Sequence, residues 1–132
     1  DRIAGEGVVL IGDAAGANDP ALGSGTGLAL IDVQELSALL RENDDWQVAI
    51  TEFSRRRPTW YEPMCAFGEW IGPLDTDSGA AADAARARAD RARDADRWRN
   101  GYGAVFAFGP RGLPVNDDVR AHFLGLDLPE TA

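Results

Sequence analysis

Hydrophobic and polar positions follow two regimes along this chain. Near the start, Val8-Val9-Leu10-Ile11 is an unbroken run of β-branched and leucine side chains that stops at Gly12, the pattern of a strand buried on both faces. A helical rhythm follows. Ala29, Val33, Leu36 and Leu40 share one face of a helix predicted from about Ser24 to Leu40, with Gln34, Glu35, Arg41 and Glu42 as its later polar positions. Its first turns, Leu28-Ala29-Leu30-Ile31, are apolar all round and are expected to be buried. A turn at Asn43-Asp44-Asp45 leads to a second helix, about Trp46 to Arg57, with Trp46, Ile50 and Phe53 facing inward. Arg57-Pro58 is expected to interrupt it, because proline disfavours helical geometry in the residue before it. Helical character resumes from Trp60 to Trp70, with Met64, Phe67 and Ile71 on one side, and Gly72-Pro73 is expected to end it.

Residues 79–99 are rich in Ala, Asp and Arg and predict a long, mainly exposed helix. Arg86 stands four before Asp90, and Asp90, Asp94 and Asp96 each stand three before an arginine, spacings that let side chains pair along one helix. Gly101-Tyr102-Gly103 and Phe106-Ala107-Phe108-Gly109-Pro110 read as an apolar loop, and a short amphipathic helix is expected near Asn116 to Leu124.

The chemistry concentrates between the first strand and the first helix, in Gly12-Asp13-Ala14-Ala15-Gly16-Ala17-Asn18-Asp19-Pro20-Ala21-Leu22-Gly23-Ser24-Gly25-Thr26-Gly27. This small-residue loop carries an acid at the strand end and glycines where the helix begins. Gly23, Gly25 and Gly27 remove side chains where a flat or anionic ligand can approach backbone N–H groups. A tight structural turn needs neither the acid nor the second set of glycines.

Gly12-Asp13-Ala14-Ala15, then Pro20-x-x-Gly23-x-Gly25, then Asp32 and Leu36 resemble the second FAD-binding motif of the flavoprotein monooxygenases related to para-hydroxybenzoate hydroxylase. The resemblance covers residues 5–40; the remainder matches only in helical character and an Arg-rich middle. It implies an α/β, mostly helical chain forming the C-terminal portion of a Rossmann-like FAD/NAD(P)-binding fold. Residues 1–42 would complete the FAD-binding domain, and residues 43–132 would form a helical C-terminal region. It also implies that Gly12 and Asp13 are cofactor-binding, with Asp13 accepting hydroxyls of the ribityl chain, and that Pro20 borders the isoalloxazine ring. Gly25 and Thr26, with Ser24 beside them, would lie at the start of the helix that faces the pyrimidine end of the flavin, and Gly23 would be a further cofactor-binding position. Many members have His where Gly16 stands, Asn where Gly27 stands and Gly where Ala29 stands.

The activity implied is FAD-dependent, NAD(P)H-using monooxygenation of a small organic substrate, aromatic compounds included, with oxygen as co-substrate. Flavin reductases, dehydrogenases and halogenases of the same fold are the alternatives, and a non-catalytic remnant or interaction module is the alternative from another class. The chain begins at Asp1 without an initiator Met and holds no Gly-x-Gly-x-x-Gly fingerprint. It is therefore expected to be the C-terminal third of a larger flavoprotein, with the missing N-terminal portion of the FAD domain as its partner.

Asp32 has two readings: it bonds backbone N–H groups of the Gly12–Ala15 turn, or it contacts ligand directly. The first is favoured, because Asp32 lies two turns inside the helix. The Arg55-Arg56-Arg57 run reads as a solvated face rather than a phosphate site. Trp46, Trp60, Tyr61, Trp70 and Trp98 are expected to pack, although Met64, Phe67 and Trp70 at helical spacing are suited to lining a substrate cavity. Cys65 reads as a small packing residue and His122 as neither catalytic nor metal-binding, since neither has a partner at useful spacing. No general base stands out.

Composition narrows the partners. With 22 acids against 13 bases, all arginine, the net charge of −9 argues against nucleic acid and anionic membranes. A single cysteine excludes an internal disulfide and suits a cytoplasmic protein.

Overall fold

The computed structural model describes residues 3–20, 23–96, 109–110 and 114–127. It is mostly helical, with one two-stranded sheet. Strands β1 (Ala4–Gly5) and β2 (Val8–Val9) pair antiparallel, with Ala4 opposite Val9 and Gly5 opposite Val8. A 3-10 turn at Gly12–Ala15 follows, then helices α1 (Gly25–Glu42), α2 (Trp46–Arg56), α3 (Pro58–Thr76), α4 (Ala80–Ala95) and α5 (Asp117–Phe123). The chain divides into two compact units, residues 1–65 and 66–132. Among the described residues, no helix is long and apolar enough to cross a membrane.

The expected doubly buried strand is a short hairpin strand instead. Val8 is 60% exposed and Leu10 is also exposed. An apolar run fixes which residues seek cover but not what covers them, and the strand found beside β2 is the two-residue β1.

In the first unit, α1 packs on α2 and on the Gly12–Ala15 turn. Leu28, Asp32 and Leu39 form the buried stripe of α1, and Ala49, Ile50 and Phe53 are the buried residues of α2. The expected face is offset from this stripe by about a quarter turn: Val33 and Leu40 are exposed while Ala29 and Leu36 are half-buried, and of the first turns expected to be buried Leu28 is, whereas Leu30 is 64% exposed. An acid on the buried stripe disguised it as polar. Trp46, expected inward, is 71% exposed at the first turn of α2.

Asp45 caps α2 by accepting the Gln47 N–H at 2.8 Å. Asp45→Ala is expected to cost about 1 kcal/mol, read by thermal unfolding, because that amide loses its partner at the helix start. Arg57 keeps helical dihedrals although it precedes proline, and Pro58 takes the first position of α3, where a missing N–H costs least. The helix then runs through Gly72-Pro73 to Thr76, past its expected end. Trp70, Ile71 and Gly72 are all buried, so continuing the helix preserves packing that a turn there would lose.

In the second unit, Phe67, Trp70 and Phe123 form an aromatic cluster, with Phe123 5.2 Å from Phe67 and 6.0 Å from Trp70 between ring centroids. Ala89 and Ala92 put the buried side of α4 against α5. Arg86 donates to Asp83 and to the Leu74 and Asp77 carbonyls, whereas Asp90 pairs with Arg93. Asn116 caps α5 through the Val119 N–H. His122 is buried, with Nδ1 2.9 Å from Asp127 Oδ2. The expectations for Trp98, for the Asp94 and Asp96 pairings with arginines, and for the apolar loop at 101–108 lie outside the described residues.

Candidate functional site

Local sequence shapes the loop before α1. Gly12, with φ +55°, and Gly16, with φ +150°, adopt backbone conformations that side chains disfavour. A Cβ on Gly12 would lie 3.2 Å from the Ala29 Cβ, so the turn rests directly on α1. Gly23, with φ +60°, redirects the chain into the helix.

The loop encloses an open depression of about 460 Å³, lined by Asp13, Asn18, Asp19, Pro20, Gly23, Gly25, Thr26 and Ala29. Asp13, Pro20, Gly23, Gly25 and Thr26, singled out from the sequence, therefore share one concave surface. Gly12 lies buried beneath it. Ser24 precedes α1 with its hydroxyl accepting from Asn18 Nδ2 at 3.0 Å, and its side chain does not cap the helix. A Cβ on Gly25 would come within 3.6 Å of Asp13 Oδ1, which puts the carboxylate beside the helix start.

Chemically, the depression offers two kinds of polar group. Asp13 and Asp19 supply carboxylate acceptors, and the first turn of α1 supplies N–H donors with the positive end of the helix dipole. Among the described residues, no basic side chain lines it. Hydroxyl groups suit the acceptors, and a carbonyl or a delocalised anion suits the donors. Among the described residues, no three His, Cys, Asp or Glu side chains converge as a metal site requires.

Beneath the loop lies a buried polar hub. Asp32 is 0% exposed and accepts three hydrogen bonds: from Gly12 N–H at 2.9 Å, Arg57 Nε at 3.0 Å and Trp60 Nε1 at 2.8 Å. The contact with the Gly12 amide is the backbone role expected for Asp32. The Arg57 contact corrects the reading of the arginine run. Arg55 and Arg56 do form a solvated pair on Glu52, and Arg55 first, then Arg56, hold that carboxyl down to about 2. Arg57, however, is 3% exposed, and its two terminal nitrogens reach the Ala15 and Gly12 carbonyls at 3.4 and 3.3 Å.

Spacing carried a signal for this difference. Arg55 and Arg56 stand three and four after Glu52, within reach on one helix face; Arg57 stands outside that reach. Trp60 and Tyr61, expected only to pack, also make directed polar contacts. Tyr61 donates its hydroxyl to the Ala17 carbonyl at 2.9 Å, and the Arg57 guanidinium stacks 4.2 Å from the centre of its ring. Partial burial, and then the adjoining Cys65 thiol, push the Tyr61 pKa up, so the hydroxyl remains a donor. Comparison with protein families, with curated proteins and with solved structures finds no match.

Proposed function

We propose that this chain forms the flavin-ring end of an FAD site in an NAD(P)H-dependent monooxygenase acting on a small organic substrate. The observation that carries the reading is the shared depression: Asp13, Pro20, Gly23, Gly25 and Thr26, marked by the resemblance as flavin contacts, line one surface at the start of α1. The donor set fits the cofactor. Asp13 would accept from ribityl hydroxyls, Pro20 would give the ring an apolar edge, and Gly23 and Gly25 keep the backbone approachable. The positive end of α1 favours a ring that gains negative charge on reduction, and an aspartate would not serve that purpose.

FAD, when bound, supplies hydride acceptance from NAD(P)H and oxygen transfer to the substrate. The chain's own residues bind and orient it, and the Gly16–Pro20 wall limits access of water. The adenine half of FAD requires a partner, the N-terminal portion of the same FAD domain. Exposed Val8, Leu10, Leu30 and Val33 supply apolar surface suited to that contact.

Titration of the protein with FAD, followed by flavin absorbance and fluorescence, tests the reading. Asp13→Ala is expected to weaken binding about ten- to a hundredfold, the loss of charge-assisted hydrogen bonds. A full-length parent protein, with the adenine-binding portion present, that shows no bound-flavin absorbance or fluorescence change on adding FAD would sink the flavoenzyme reading and leave an interaction module. Given binding, oxygen uptake coupled to product separates a monooxygenase from a reductase or dehydrogenase.

A further inference from the structure

The α2–α3 elbow holds the loop by its carbonyl groups in sequence. Arg57 donates to the Gly12 and Ala15 carbonyls, and Tyr61 donates to the Ala17 carbonyl. Asn18, Asp19 and Pro20, which come next, line the depression. Tyr61 is thus the last of these tethers before the wall of the candidate site. Its placement is matched to the loop. A Cβ on Gly16 would lie 2.6 Å from the Tyr61 hydroxyl oxygen and 2.9 Å from its Cζ, so the tyrosine tip occupies the space a side chain at position 16 would need. Arg57, fixed from behind by buried Asp32, stacks on the Tyr61 ring and holds it in that space.

We infer that Tyr61 is a positioning residue for the candidate cofactor site: its hydroxyl, through the Ala17 carbonyl, sets the place of the Asn18–Pro20 wall against the bound ring. The inference rests on the flavin reading and adds a residue from outside the motif that suggested it. The hydrogen bond itself lies at the protein surface, so global stability depends little on it. The wall starts at the residue after the tethered Ala17 carbonyl, so its place depends on the bond more directly.

The test is Tyr61→Phe, which keeps the ring, the arginine stack and the packing beside Gly16 but removes the donor. FAD affinity is measured by titration, and amide hydrogen exchange of residues 16–20 is measured in the protein without FAD. The expected result is FAD binding about three- to tenfold weaker, faster exchange in that segment and an unchanged melting temperature. A variant that binds FAD as tightly as the parent overturns the inference while leaving the flavin reading intact. A full-length parent that fails to bind FAD overturns the flavin reading, and the inference with it.

Discussion

Asp32→Ala is expected to destabilise the first unit by about 3–5 kcal/mol, because it breaks a buried ion pair from one side. The carboxylate is fully buried and serves three donors on three separate segments: Gly12 of the loop, Arg57 of the elbow and Trp60 of α3. Removing it leaves the Arg57 guanidinium, itself 3% exposed, with two long contacts to carbonyl oxygens and the Tyr61 ring in place of a carboxylate. It also leaves the Gly12 amide and the Trp60 indole N–H without this acceptor, each a penalty of about 1–3 kcal/mol if water does not enter. Arg57→Ala should destabilise for the converse reason, yet less, since Asp32 keeps two donors. The double variant Asp32→Leu/Arg57→Leu should recover part of the loss, because no buried charge is then stranded. Denaturant unfolding followed by tryptophan emission measures all three. A cost below about 1 kcal/mol for Asp32→Ala would show that solvent reaches the hub and that the turn does not depend on it.

The hub also explains which features were legible in the sequence. An acid at Asp32, inside an apolar helical stretch, has to find donors, and the glycine turn twenty residues earlier carries free amides; that pairing follows from residue types alone. The partner cation was hidden. Arg57 sits in a run of three arginines, and a charged run reads as surface unless the reach of Glu52 to Arg55 and Arg56 is set against its failure to reach Arg57. The same carboxylate obscured the orientation of α1. Leu28, Asp32 and Leu39 define its buried stripe, but periodicity counts Asp32 as polar and so selects a face about a quarter turn away, where Val33 and Leu40 are exposed and Ala29 and Leu36 half-buried.

The loop itself was legible as a list of residues but not as a surface. Asp13, Pro20, Gly23, Gly25 and Thr26 stood out by type and spacing, while their convergence on one depression depends on the positive φ angles of Gly12, Gly16 and Gly23. Two further elements show where pattern reading stops. The Val8–Ile11 run has the composition of a core strand, but composition carries no information about neighbouring strands, and Val8 of β2 is exposed while Val9 is half-buried. Gly72-Pro73 has the composition of a helix end, but the burial of Trp70 and Ile71 outweighs the local preference, and α3 continues to Thr76.

Gly125→Ala carries the second large expected effect, a loss of roughly 3 kcal/mol in the second unit. Two independent penalties meet at this residue. Its φ of +65° is costly for any residue with a Cβ, by about 1–2 kcal/mol. In addition, the new Cβ would lie 2.5 Å from the Arg88 carbonyl oxygen and 3.0 Å from its carbonyl carbon, both backbone atoms of α4. A flexible side chain could swing aside; a helix backbone cannot without disturbing its own hydrogen bonds. The clash therefore falls on the turn after α5, which Arg88 Nε holds through the Leu124 carbonyl at 3.0 Å. If that turn shifts, Phe123 moves away from Phe67 and Trp70, so Trp70 emission and near-ultraviolet circular dichroism report the change directly. Gly125→Asn separates the two penalties. Asparagine tolerates positive φ better than alanine but brings the same Cβ, so an Asn variant as unstable as the Ala variant assigns the cost to the approach of the two backbones. A clearly milder Asn variant assigns it to the backbone conformation, and a loss below about 1 kcal/mol for both would mean that the turn relaxes away from α4 at little cost.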